Sequence, residues 1–598
     1  MSGTLSRVLS RAAEMVDQTI GWSRLPTPLG VLVLLGLRNR LRTHNLYSTG
    51  RGPCDKPSYS DPNVINRLDA RMMNGTFNDL DDPLMGSTGS RFGRNVPPER
   101  TRPEEPAQLL DPSPRVISRR LLARESFEPA TTLNLLAAAW IQYEVHDWLS
   151  HPTLDTYPWE VPLDQPGDHW FTNPMKISRT EPDPSPDPGR PPTYVNQDTH
   201  WWDASQIYGD TPDFANALRS HEGGELGLDE DGLPPEALAH HVDIKGPAGN
   251  FWVGLALLHS LFMKEHNAIC GALAAKYPGM SDQELYDTAR LVNTALMCKI
   301  HTVDWTPAII AHPTTVFGMR TNWYGLLGER FAERVGRISK NEVISGIPGS
   351  ATNHHGVPYS LTEEFVAVYR MHPLIPDEFV FRSVRDDQPI VERTFSELTF
   401  FHVRERLKEV PMADLLYSFG RSHPGAITLH NYPNQLRDFT KADGTRIDLA
   451  AVDVLRTRER GVPRYNEFRR LFRLKPASSF NELTDNPAWA EELRQIYGDV
   501  ERVDLMVGLY AEPKPKGFGF SDTAFRVFIL MASRRLESDR FLTDCFRPDV
   551  YTQVGFDWVN RNKLRTVLLR HYPALEPALR GVENPFAPWV RVRPGNPD

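Results

Sequence analysis

At 598 residues and a formal net charge of −9, the chain is too long for one small core, and its acidity argues against a nucleic-acid partner. Its four cysteines (Cys54, Cys270, Cys298 and Cys545) lie far apart without CxxC spacing, which excludes a zinc ribbon, argues against a disulfide framework and points to a reducing, intracellular compartment. No Gly/Ser linker, charge block or solenoid-period repeat divides the sequence, so one large domain is expected despite the length.

The opening "MSGTLSRVLSRAAEMVDQTIGW" is mixed in charge and helix-like, without the apolar core or A-x-A site of a signal peptide. "LPTPLGVLVLLGLRNRLR" follows. Its apolar stretch ends near Leu37, too short and too proline-broken to span a bilayer, although its basic flank suits a membrane surface. Residues 1–45 are therefore expected as an N-terminal helical segment, docked on the body or lying on a membrane. Residues 46–598 are expected as a single domain.

The next long helical pattern is "TTLNLLAAAWIQYEVHDWL", in which Gln142 and His146 stand four apart and share one face. These residues alone leave open whether the two form a satisfied core pair or a reactive one. Asp147 points elsewhere on that helix and needs its own partner, because a buried unpaired carboxylate is costly. The breaker-rich residues 179–194, "RTEPDPSPDPGRPPTY", read as a surface loop. In "NQDTHWWDASQIYG", Thr199, Trp201, Asp203 and Ser205 are spaced i, i+2, i+4 and i+6. There a hydroxyl, a backbone carbonyl, a carboxylate and a second hydroxyl can converge with Asp147 on a hard cation such as Ca²⁺, or remain solvated in a turn.

"FWVGLALLHSLFMKEHNAICGALAAKY" and "SDQELYDTARLVNTALMCKIHTVDW" are further long patterns rich in Ala, Leu and Met, without internal proline. Strand-like alternation is scarce. A mainly α fold follows, with 51 prolines concentrated in long loops between helices. In "VAVYRMHPLIPDEF", Tyr369 stands one helical turn before His372 on a stretch that otherwise reads as core. Packing alone accounts for such a pair, since buried polar tips usually find partners.

In combination these pieces narrow sharply. The order Q-x-x-x-H-D, T-x-W-x-D-x-S, "HSLFMKEHN" and Y-x-x-H is similar to that of the peroxidase–cyclooxygenase superfamily of haem proteins. The strings "FNDLDDPLMGSTGSRFGRN", "WIQYEVHDWLSH", "RVDLMVGLYAEPKPKGFGFSDTAF" and "ILMASRRLESDRFLTDCF" closely resemble the fatty-acid α-dioxygenases, and the resemblance runs from near Leu25 to near Pro573.

The resemblance implies a haem peroxidase-like, all-helical fold with little β structure, and haem b held non-covalently with His372 as the proximal iron ligand. Tyr369 becomes the phenol that an oxidised haem converts to a radical. His146, as general acid/base, and Gln142 face the iron from the distal side. Asp147, Thr199, Trp201, Asp203 and Ser205 become the ligands of a structural Ca²⁺. Asp453, in "DLAAVDVLRTRERGVPRYNEF", matches the residue that hydrogen-bonds the proximal imidazole, where related peroxidases usually carry asparagine. Arg456 suits a haem propionate.

His301 and Thr306, in "KIHTVDWTPAII", and Arg535, in "ASRRLE", match the trio that binds the substrate carboxylate, with Arg534 as the neighbouring candidate. Val145 stands where mammalian peroxidases esterify the haem, and Ala248 where they place a catalytic arginine. The implied activity is α-oxygenation of long-chain fatty acids by O₂ through a tyrosyl radical, giving 2-hydroperoxy fatty acids. The alternatives are a cyclooxygenase-type lipid oxygenase, a haem peroxidase, or a non-enzymatic haem- or lipid-binding protein. A monomer, soluble or in peripheral contact with a membrane, is the expected form.

Overall fold

A proline in the first turn of a helix forfeits only a hydrogen bond that turn does not make. The computed structural model of the chain shows this at its N-terminal end; it describes residues 3–52, 68–163, 167–185, 187–234, 251–400, 402–441 and 444–593. Pro28 falls in the first turn of α2 (Thr27–His44), so the prolines expected to break this segment instead start a continuous 18-residue helix. It follows α1 (Gly3–Thr19) and buries Val31, Leu34, Leu37 and Leu41. Gly30 permits its close approach to the helix Pro313–Tyr324, since a Cβ there would come within 2.9 Å of the Thr314 side chain. The opposite face leaves Leu29 and Leu32 exposed.

The central helices are α3 (Leu135–Trp148), α4 (Val253–Lys276) and α5 (Asp282–Ile300). All three are buried on most of their circumference, the mark of a core helix. The start of α5 is set by Ser281 and Glu284, which cap each other's backbone N–H groups. One hydrophobic cluster runs without interruption from Ala13 to Trp589, joining the N-terminal helices to the rest of the body. Strands among the described residues are limited to three antiparallel pairs, of which the longest joins Thr153–Val161 to Met175–Thr180. No helix among the described residues is long and apolar enough to cross a membrane.

Two departures from regular helix matter later. The helix pattern through Trp305 ends in fact at Ile300 and continues as a π-helical turn, His301–Trp305. Pro307 lies two residues beyond this turn and has no N–H for the carbonyl of Val303, which favours the wider turn. The second concerns Tyr369 and His372, which do not share one helix. The short α6 (Glu363–Val368) ends at Tyr369, and His372 opens a separate 3₁₀ turn, His372–Leu374. Continuing α6 would drive the Pro373 ring into the carbonyl of Tyr369, four residues back. Two further helices complete the site, α7 (Leu449–Glu459) and α8 (Asp522–Ser538), N-capped by Asp448 and Ser521.

Candidate active site

Asp453 of α7 is fully buried and accepts hydrogen bonds from His372 Nδ1 at 2.7 Å and from the Tyr432 hydroxyl at 3.0 Å. Arg370 also pairs with it. Burial pushes this carboxyl up, but His372 and Arg370 outweigh it and hold Asp453 at about 2. A carboxylate on Nδ1 keeps the ring proton there, which leaves Nε2 as the lone pair for a metal. His372 is also partly open, its side chain 33% exposed, between the buried neighbours Met371 and Pro373. Arg370 was missed in the sequence although it lies between Tyr369 and His372; no spacing rule marks a residue whose partner is on another helix.

On α3, His146 Nε2 is buried and without a partner. Burial first, then the nearby His259 ring, pushes its pKa down to about 3, so the imidazole is held in its neutral form. Gln142 Oε1 accepts from Trp252 Nε1 at 2.8 Å. A buried orphan imidazole on α3 and an open, carboxylate-backed imidazole at the start of a 3₁₀ turn are side chains of the kind that a haem site requires, so these residues fit the group. Arg456 is buried and bonded to Glu459 at 2.8 Å. Ala248 lies outside the described residues.

Asp147 and Asp203 are brought together as expected. Asp147 Oδ1 accepts from the Ser205 hydroxyl at 3.0 Å, and Asp203 Oδ2 from the Thr199 hydroxyl at 2.9 Å. The other oxygens, Asp147 Oδ2 and Asp203 Oδ1, are buried with no partner. Burial, then the charge of Asp203, pushes Asp147 well above the ordinary carboxylate range. Ala204 takes a left-handed conformation (φ 62°) that curls the loop back on itself. Trp201 anchors it, donating to the Met85 carbonyl at 3.0 Å and stacking on Tyr359. Two buried carboxylates with unsatisfied oxygens call for a cation, and an all-oxygen set suits Ca²⁺.

His301, Thr306 and Arg535 line one small cavity together with Tyr369, Trp148 and Phe365. In a regular α-helix, positions five apart point about 140° away from each other. The π turn closes that angle and lets His301 and Thr306 face the same space. Trp140 Nε1 donates to His301 Nδ1 at 3.1 Å, so the ring proton sits on Nε2. Burial, then Arg535, pushes His301 far below its ordinary pKa, which keeps it a neutral donor. Thr306 Oγ1 and two nitrogens of Arg535, Nε and Nη2, are buried and unpaired. Arg534, by contrast, donates to the carbonyls of Val357 and Pro358 at 2.8 and 3.0 Å.

Tyr369 is buried, and burial raises its pKa, so it remains a neutral phenol carrying an O–H hydrogen. A larger, mainly apolar cavity shares Met319, Asn322 and Ala532 with the first and continues past Phe528, Phe525 and Leu34 beneath α2. These are lining residues that sequence reasoning could not name.

Residues 70–582 match the family described as "Animal haem peroxidase". The chain is 40% identical to alpha-dioxygenase 2 of Arabidopsis thaliana over 96% of its own length and 92% of the relative's. Its fold superposes on the crystal structure of a fatty acid alpha-dioxygenase from Oryza sativa with a TM-score of 0.89 and 37% identity, covering 98% of this chain and 97% of that one. The same rice enzyme gives an equal TM-score of 0.89 as a Tyr-to-Phe variant with palmitic acid.

Proposed function

Because this chain belongs to the animal haem peroxidase family and, within it, to the alpha-dioxygenases, we infer that Tyr369 is the residue through which it oxygenates fatty acids. The protein is a fatty-acid alpha-dioxygenase, and the observation that carries the reading is the meeting of Tyr369 with His301, Thr306 and Arg535 in one cavity. When bound, haem supplies the one-electron oxidation that, with loss of the phenolic proton, turns Tyr369 into a radical.

A carboxylate entering the cavity accepts from Arg535, Thr306 and His301, with the guanidinium giving charge-assisted bonds. That clamp presents C2 of the chain to the Tyr369 oxygen, and held geometry of this kind supplies much of a rate advantage. The phenoxyl oxygen takes one hydrogen atom from C2, and the tyrosine O–H reforms. O₂ then adds to the carbon radical. The resulting 2-peroxyl radical takes the hydrogen back from Tyr369, releasing a 2-hydroperoxy acid and regenerating the tyrosyl radical, so no reductant is consumed. A cyclooxygenase-type reaction would need a remote allylic carbon at Tyr369, which the position of the clamp disfavours.

His372 would hold the haem, with Asp453 increasing its electron donation. His146, aided by Gln142, serves proton transfer during peroxide activation, and Arg456 is assigned to a propionate. The haem is haem b without an ester link, since Val145 offers no carboxyl. Asp147, Thr199, the Trp201 carbonyl, Asp203 and Ser205 would hold a calcium ion, which would fix the end of α3 that carries His146. Metal analysis should find a stoichiometric calcium that Asp203→Asn abolishes; a metal-free parent protein would reject this part. The free thiols of Cys270, Cys298 and Cys545 fit a reducing, intracellular setting, and a monomer is the proposed form. The exposed Leu29 and Leu32, on the helix above the apolar cavity, support peripheral contact with a membrane.

The central test is oxygen uptake with palmitate followed by mass analysis of the product. Oxygen on carbon two is expected. Oxygen confined to an allylic carbon of linoleate, with palmitate inert, would favour the cyclooxygenase reading instead.

A further inference from the structure

A buried guanidinium normally rests against a carboxylate, because an unpaired charge out of water is expensive. Arg535 is only 3% exposed, yet among the described residues no carboxylate forms an ion pair with it. Its charge lies instead among aromatic faces, hydrogen-bonded to the Tyr359 side chain and with Glu144 and Asp147 in electrostatic reach. Its Cζ is 3.9 Å from the centroid of the Trp148 ring, 4.6 Å from that of Trp202 and 5.5 Å from that of Phe365.

We propose that Trp148 and Trp202 are positioning residues that hold the Arg535 guanidinium in place while leaving its Nε and Nη2 N–H groups for the fatty-acid carboxylate. The chemistry distinguishes this from a salt bridge. An Asp or Glu would stabilise the cation but occupy the same planar fork of donors that the substrate needs. A π face attracts the cation through its quadrupole and consumes no N–H. Arg535 Nε and Nη2 are accordingly buried and unpaired in the cavity wall.

The two rings are themselves held on several sides. They meet edge to face, with centroids 5.3 Å apart and planes at 84°. Trp202 Nε1 donates to Glu144 Oε2 of α3 at 2.8 Å, which pins its plane. Trp148 follows Asp147 and Trp202 precedes Asp203, so the Asp147–Ser205 hydrogen bonds tie together the two segments that carry them. Both rings also contact His301, with centroids 5.4 and 5.0 Å away, and Trp148 reaches Tyr369 at 5.7 Å. The pair thus sets Arg535 relative to two other working residues of the cavity.

The inference rests on the reading of Arg535 as carboxylate ligand, and the test separates the two. Palmitate and hexadecanol binding are measured on haem-loaded protein in a Tyr369→Phe background, where binding proceeds without turnover. Trp202→Leu is expected to weaken palmitate by about tenfold or more, the size of a desolvated cation–π contact, and to leave hexadecanol unchanged. Trp202→Phe, which keeps a ring but loses the bond to Glu144, should fall between parent and Leu. Palmitate affinity in Trp202→Leu within twofold of the parent, or equal weakening of both ligands, would overturn the proposal. If the Leu variant does not fold, the palmitate-to-hexadecanol ratio of the Phe variant decides, and an unchanged ratio counts against it. Arg535→Leu is the control: if it too leaves palmitate binding intact, the clamp reading fails; if it alone weakens binding, only the role of the tryptophans does.

Discussion

Replacing Tyr369 with phenylalanine is expected to abolish fatty-acid-dependent oxygen uptake while leaving haem and substrate in place. The ring packs 4.3 Å from Phe365 and 6.3 Å from Phe528 by centroid, contacts that phenylalanine reproduces. What disappears is the single O–H hydrogen that the mechanism passes to and from carbon two. A fall of at least about a thousandfold is expected, equivalent to about 4 kcal/mol in the activation barrier. The measurements are oxygen consumption with palmitate, the absorption spectrum of the haem, and binding of palmitate at equilibrium. An intact spectrum and intact binding with no uptake is the expected pattern. Uptake above a tenth of the parent rate would mean that another residue abstracts the hydrogen.

The second large effect separates Arg535 from its neighbour. Arg535→Leu is expected to raise KM for palmitate by about a hundredfold to a thousandfold, because breaking a buried, hydrogen-bonded charge pair costs about 3–5 kcal/mol. With Arg535 gone, the carboxylate has only the neutral donors Thr306 and His301. Part of the loss should appear in kcat as well, since a chain that slides in the cavity no longer presents carbon two to Tyr369. Arg534→Leu should behave differently. Its nitrogens serve the carbonyls of Val357 and Pro358, so removing them strands buried acceptors at about 1–3 kcal/mol each and lowers thermal stability, with KM near that of the parent. Steady-state kinetics and melting curves on both variants check this. A raised KM in Arg534→Leu and a normal one in Arg535→Leu would reverse the assignment.

The two arginines also show where reading letters stops. Adjacent on α8, they are equivalent by composition and by motif, and only their different surroundings distinguish them. Asp453 was placed opposite His372 through family resemblance, but Arg370, its other partner, carried no signal. The YRMH stretch was read as one helical turn and is instead a helix end followed by a 3₁₀ turn. The three positions from Tyr369 to His372 are not one turn of a regular helix, because Pro373 rules out the regular geometry.

What the amino-acid order determined by itself was local and periodic. It specified the helical class, the proline-free core helices, the shared face of Gln142 and His146, and the alternating oxygens of residues 199–205. Neighbours within a few positions are kept close by the covalent chain and fall into a fixed period wherever the backbone is regular, so such patterns are legible directly. Approach between distant segments was decided by the packed chain alone. Asp147 meets Ser205 across 58 positions and His372 meets Asp453 across 81, while the Arg535 guanidinium lies against two indoles from elsewhere in the chain. Those encounters depend on how buried helices stack around one core, a cooperative outcome that no short window of residues encodes.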